Sequence, residues 1–188
     1  MAVSVQRRSF TSVEFWRMVE TGIIREDERV ELLDGAIVAM SPIGPRHAWC
    51  VKRLVRIFAV LGDRVVLSVQ DPVHLGARSD PQPDLALLRP GTSQREHPGA
   101  ADVLLVIEVG SSSIADDRAL KAPLYARARI AELWLVDLVA ERVEVHREPG
   151  PGGYRLVRSF GRGERVSPLF APELEIGVDA ILGSTGEE

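Results

Sequence analysis

The sequence has one cysteine, Cys50, so an intrachain disulfide is excluded and a reducing, cytoplasmic compartment is the expected home. Its longest apolar runs are far too short to span a bilayer as a helix. The opening MAVSVQRRSF lacks the continuous apolar stretch of a secretory signal. There is no internal repeat and no low-complexity run. His74, His97 and His146 are scattered without zinc-ligand spacing. No G-x-S-x-G elbow surrounds Ser111, Ser112 or Ser113, which removes the usual serine-hydrolase signal and leaves helix capping as their expected role. Positive charge is not in excess either. The formal net charge of −4 argues against a broadly cationic nucleic-acid binder, although a local basic strip remains compatible with it.

The 188 residues are 45% hydrophobic and 27% charged, as in an ordinary soluble domain. One domain over 1–182 with a loose tail at 183–188 is expected. Thr11-Ser12-Val13-Glu14 reads as a capping box opening a helix to about Glu20. Asp34-Gly35 between the apolar runs of Val30–Val38 predicts a hairpin. A second helix, about Arg46 to Leu61, gathers Val51, Leu54, Val55, Phe58 and Leu61 on one face. Arg46, Lys52, Arg53 and Arg56 fall on another face, a solvated surface or a phosphate track. Short apolar stretches at Val65–Val69, Leu85–Leu88, Val103–Val109 and Glu132–Asp137, with Arg142–Arg147 and Tyr154–Phe160, alternate with a polar helix over Ile114–Arg129. The class is α/β or α+β, one sheet with helices packed on it.

Asp84 opens the run Leu85–Leu88 directly after Pro83, and Glu108 stands near the end of Leu104–Val109. Antiparallel pairing of these two strands makes the carboxylates neighbours. Adjacent buried carboxylates repel, and one keeps its proton unless a cation joins them. Mg²⁺, which takes carboxylate oxygens and waters, is the natural cation. The strand ending at Val109, the helix after it and Leu133–Val136 read as a β-α-β crossover with parallel strands. Lys121 on that helix could point back to the carboxylates. Taken alone, Asp84 could instead cap a loop or pair with Arg89, Glu31 could be a surface residue, and Asp137 could cap its strand end. His47 lies three residues before Cys50, but a Cys-His nucleophile is disfavoured and Cys50 reads as a small packed residue.

These residues carry a resemblance. Pro83-Asp84, then Glu108-Val109, then a lysine, resembles the PD-(D/E)XK nuclease superfamily. "VELLDG", "PQPDLALL", "VIEVGSSS", "DRALKAPLYARA" and "ELWLVD" together resemble the Uma family of bacterial restriction endonucleases, from roughly Phe10 to Leu182. The resemblance implies a restriction-endonuclease-like fold, a central mixed β-sheet flanked by helices. It implies a Mg²⁺ or Mn²⁺ site of Asp84, Glu108 and the Val109 carbonyl, with Lys121 as the catalytic lysine and Glu31 as an accompanying acid. It also implies Mg²⁺-dependent hydrolysis of DNA phosphodiesters by a homodimer. In the superfamily motif the lysine lies two residues after the Glu; here that position is Gly110. Family members usually have Ser-Pro-Ser where this chain has Ser111-Ser112-Ser113 after Gly110, Arg129 occupies a common helix-ending glycine position, and Pro123 predicts a helix interrupted within a turn of Lys121. The alternatives are a catalytically weak descendant that binds nucleic acid or protein, and a hydrolase of another phosphodiester.

Overall fold

The computed structural model of the protein describes residues 8–110 and 114–183. Ser111–Ser113 and most of the expected tail lie outside the described residues. Thr11 caps α1 (Ser12–Glu20) through a full capping box with Glu14. Strands β1 (Val30–Leu33) and β2 (Ala36–Ala39) form the hairpin. Its two turn residues, Asp34 at φ 50° and Gly35 at φ 82°, adopt the positive φ that a tight hairpin of right-twisted strands requires. A Cβ at Gly35 would also lie 2.6 Å from Ser9 Cβ.

Helix α2 runs Pro45–Phe58, and a 3-10 segment, Ala59–Arg64, follows it. The α-helix therefore stops three residues short of the expected Leu61. Leu61 still reaches the core from the 3-10 turn, because Cys50, Val51, Leu54 and Phe58 have already fixed the buried face.

Six strands make the central sheet in the order β3-β4-β5-β6-β7-β8. They are β3 (Val66–Ser68), β4 (Leu85–Leu88), β5 (Val103–Gly110), β6 (Glu132–Asp137), β7 (Arg142–Gly150) and β8 (Gly153–Gly161). Every pairing is antiparallel except β5 with β6, which the helical crossover makes parallel. Alternation along β5 sends Leu105, Ile107 and Val109 to the α2 side and Val106 to the other. On the α2 side Phe58 meets Trp134 with ring centroids 5.9 Å apart. Burying side chains of that size contributes about 1.5–3 kcal/mol each. A small pair, β9 (Arg165–Val166) with β10 (Ile176–Gly177), leads into α5 (Val178–Leu182), which packs on α2.

The crossover is interrupted near Lys121, but the expectation that Pro123 would kink a helix from within is not met. One turn, α3 (Ile114–Asp116), passes into a π-helical turn, Asp117–Lys121, and then into α4 (Ala122–Arg127). Pro123 does not sit in a helix interior. It falls in the first turn of α4, where a missing N–H is least disruptive. The break comes from the π turn immediately before it, the kind of irregularity that collects at functional sites.

Candidate active site

Leu85 pairs with Ile107 across the β4–β5 ladder, so Asp84, one residue earlier, stands at the C-terminal end of β5. Its Oδ2 accepts a hydrogen bond from the Val109 amide at 2.8 Å. Gln70 Nε2 donates to Oδ1 at 3.2 Å, and His47 Nε2 lies 3.0 Å from Oδ2. Arg89, the local partner considered for Asp84, instead donates to the Ala101 carbonyl. The dipeptide Pro83-Asp84 thus ends one strand's pairing and turns a carboxylate across the end of its neighbour.

Glu108 is buried on the α4 side of the sheet. Tyr125 Oη donates to its Oε1 at 2.7 Å, and Lys121 Nζ approaches the same oxygen at 3.3 Å. Lys121 Nζ also lies 3.1 Å from Glu31 Oε1 and 3.6 Å from Asp117 Oδ1. Glu31 is held from its other oxygen by the Gln82 amide, at 3.0 Å, in the segment that leads to Asp84. The Asp80 amide bonds to the Leu32 carbonyl at 2.8 Å and fastens the hairpin to that segment.

All four side chains anticipated at the site, Glu31, Asp84, Glu108 and Lys121, are brought together and buried. Val109 joins them through its backbone amide on Asp84. The superfamily lysine position, Gly110, has no room for a side chain. A Cβ there would lie 2.8 Å from Ile114 N and 3.0 Å from Ile114 Cα. The ammonium comes from the crossover helix instead, and the π turn aims Lys121 inward.

The sequence marks Tyr125 only as the end of a Lys-x-x-x-Tyr spacing, with no role at the site, and leaves Asp117 and the contact of His47 with Asp84 unassigned. Tyr125 and Asp117 flank Lys121 at plus and minus four residues, a spacing that could have revealed both contacts. His47 had been weighed only as a partner of Cys50. Cys50 is inert, its thiol pushed up to about 12 by burial, and His47 faces Asp84 across 37 residues of sequence, with no local signal to reveal it. Asp137 caps the turn after β6 by accepting from the Val139 and Ala140 amides, as expected.

Charge is unbalanced here. Three carboxylates, those of Glu31, Glu108 and Asp117, lie within 3.6 Å of the Lys121 ammonium, and Asp84, which faces His47, adds negative charge beside Glu108. Burial, opposed by Lys121 and reinforced by Asp117, Asp84 and Glu31, holds Glu108 far above the usual glutamate range. Burial alone would lower Lys121, but Glu108, Glu31 and Asp117 outweigh it and keep the ammonium charged. Burial and the neighbouring Glu108 raise Tyr125, which stays a neutral donor. Among the described residues no three His, Cys, Asp or Glu side chains form a ready-made metal cage.

A mixed sheet that brings Asp84 and Glu108 to one end, beside a lysine from the crossover helix, defines a restriction-endonuclease-like nuclease fold. The chain belongs to the Uma2 family, described as "putative restriction endonuclease", whose model matches residues 13–179. A search of curated proteins found no match. Among solved structures, a "putative nuclease belonging to DUF820" from Anabaena variabilis ATCC 29413 is similar over 92% of this chain and 97% of its own. The TM-score is 0.71 and the sequence identity 15%, so the likeness is one of fold.

Proposed function

We propose that the protein is a Mg²⁺-dependent endodeoxyribonuclease that hydrolyses DNA phosphodiesters, with Mn²⁺ able to substitute. The observation that supports this best is the buried excess of carboxylates around Lys121. Such an excess is unfavourable in a purely structural role and is relieved by a divalent cation. The donor set fits one. Both contacts of Glu108 fall on Oε1, and Asp84 Oδ1 receives only the Gln70 amide among the described residues. Asp84, Glu108 and the Val109 carbonyl would hold the ion, in keeping with a cation that takes one or two carboxylates and keeps waters. When bound, it supplies Lewis-acid stabilisation of phosphate charge and lowers the pKa of water.

The rest of the chemistry belongs to the chain. The Val109 amide and Gln70 fix the orientation of Asp84. Lys121, held by Glu31 and Asp117, presents a permanent positive charge where the phosphorane gains negative charge, or orients the attacking water. Tyr125 steadies Glu108. Glu31 thereby acts through Lys121. A homodimer in the cytoplasm, one protomer for each strand, completes the reading; no helix of the described residues is long and apolar enough to cross a membrane.

Incubation of supercoiled and linear DNA with Mg²⁺ or Mn²⁺ tests it. Wild type should nick or cut, while EDTA, Asp84→Asn and Lys121→Met should each abolish the products. Binding without cleavage under every metal would replace this reading with that of a nucleic-acid-binding descendant.

A further inference from the structure

The solvent face of α2 carries one sign of charge and an exposed indole. Its 14 residues include Arg46, Lys52, Arg53 and Arg56 and no aspartate or glutamate, in a chain of net charge −4. Two of these cations are committed to the fold. Arg46 donates to the Leu138 carbonyl at 3.1 Å and lies 3.6 Å from Glu141. Arg53 donates to the Ile181 and Leu182 carbonyls at 2.9 and 2.6 Å, closing the end of α5. Lys52 and Arg56 have no acidic partner among the described residues. Lys52 Nζ sits 4.5 Å from the centroid of the Trp49 ring. Trp49 is 59% exposed. The other two tryptophans are engaged: Trp134 is buried and donates to Glu132, and Trp16 donates to Asp80 and stacks on His97. Trp49, Lys52 and Arg56 lie three and seven residues apart, so they form one ridge about 11 Å long.

We propose that this ridge binds an unpaired nucleic-acid strand, with Trp49 stacking on a base and Lys52 and Arg56 meeting the flanking phosphates. The inference rests on the DNA reading above and adds that the substrate class is single-stranded DNA or duplex with a single-stranded tail. The charge sign selects a polyanion. The open indole selects one that offers aromatic faces, which a stacked duplex hides and a single strand presents. Position selects between the same two. Trp49 lies about 200° around the helix from His47, so the ridge and Asp84 are on opposite sides of a cylinder about 10–12 Å across. Duplex DNA is stiff over about 150 base pairs and does not turn around such a cylinder; a single strand does.

The test measures binding by the whole protein in EDTA, where cleavage plays no part. Fluorescein-labelled oligo(dT) and a blunt duplex, each of about 20 nucleotides per strand, are titrated by anisotropy. Tryptophan emission is followed on unlabelled oligo(dT). Oligo(dT) should bind wild type about tenfold more tightly than the duplex and quench its fluorescence. Trp49→Ala should lose about tenfold in affinity, and Trp49→Phe should keep affinity within about threefold while losing the quench. Lys52→Glu with Arg56→Glu should weaken binding and flatten its salt dependence. Equal or tighter binding of the duplex, or wild-type affinity in Trp49→Ala, overturns the proposal. So does a Trp49→Ala protein whose mass in solution changes while its affinity does not, an outcome that assigns the ridge to a second copy. Intact oligo(dT) binding by a protein that never cuts would leave the ridge standing and remove the nuclease reading. Cleavage combined with indifference to Trp49→Ala would do the reverse.

Discussion

Glu108 and Glu132 occupy adjacent strands, β5 and β6, and both are sealed from solvent. They live in opposite kinds of environment. Glu132 Oε1 accepts from Trp134 Nε1 at 2.9 Å and from Arg147 Nε and Nη2 at 2.9 and 2.7 Å. Its Oε2 accepts from the Leu169 amide at 2.6 Å. Arg147 also donates to the Ser167 carbonyl, so this pair staples the loop after β9 to the sheet. One guanidinium answers one carboxylate, and each oxygen has a donor. Glu108, by contrast, shares a single ammonium with Glu31 and Asp117 and has Asp84 as a neighbour. A buried glutamate is therefore no sign of function in itself. What distinguishes Glu108 from Glu132 is the excess of acidic groups around a single ammonium.

The comparison breaks or sharpens under mutation. The largest effect on folding is expected at the balanced site. Glu132→Ala should destabilise the protein by about 3–5 kcal/mol, because it strands Arg147 and frees the loop. Urea melts measure this, and added Mg²⁺ or Mn²⁺ should leave the loss unchanged. At the unbalanced site the sign should reverse. Glu108→Gln should leave metal-free protein as stable as wild type or more so, by on the order of 1 kcal/mol at an effective dielectric near 20. The same change should abolish cleavage and the stabilisation that metal otherwise gives. If Glu108→Gln melts as early as Glu132→Ala, the two sites are alike and the contrast fails.

A pH series offers a finer test. The folded-state pKa of Glu108 lies above its unfolded value, so between the two the native state binds more protons than the unfolded state. Its contribution is fully present below the ordinary glutamate range and is lost as pH rises through the raised folded value. Metal-free wild type should thus lose stability over that window, and Glu108→Gln should show a flatter profile. A wild-type profile that rises through the window would contradict the buried, protonated state. The smallest effect is expected at Tyr125→Phe, which removes one hydrogen bond from Glu108 and should lower stability by about 1 kcal/mol in chemical denaturation. A loss as large as that of Glu132→Ala would mean that Tyr125 carries the fold rather than the site.

Much of the frame was legible along the chain because it is made of short-range effects. Thr11 and Glu14 cap a helix within one turn, and Asp34-Gly35 turns the hairpin by backbone conformation. The apolar runs at Leu85–Leu88 and Val103–Val109 became neighbouring strands, and their antiparallel pairing meets the condition under which Asp84 and Glu108 become neighbours. Pro123 was legible only in part. Its disruption of an α-helix is a local property, but whether the chain answers with a kink, a π turn or a new helix start depends on what packs around Lys121.

The sequence by itself determined α1, the hairpin, the main strands of the sheet, the family pattern and the order in which Asp84, Glu108 and Lys121 arrive, since each element rests on residues within a few positions of one another. Only the tertiary structure decided which buried glutamate is balanced and which is not. It brought His47 from α2 to Asp84, Glu31 from the hairpin to Lys121, and Arg147 to Glu132. It also denied a side chain to Gly110 by running Ile114 against it. The reason is physical. Backbone conformation is set by neighbours in the chain, whereas the free energy of a buried charge is set by whatever charges and dipoles the fold collects within a few ångströms, from any distance in sequence.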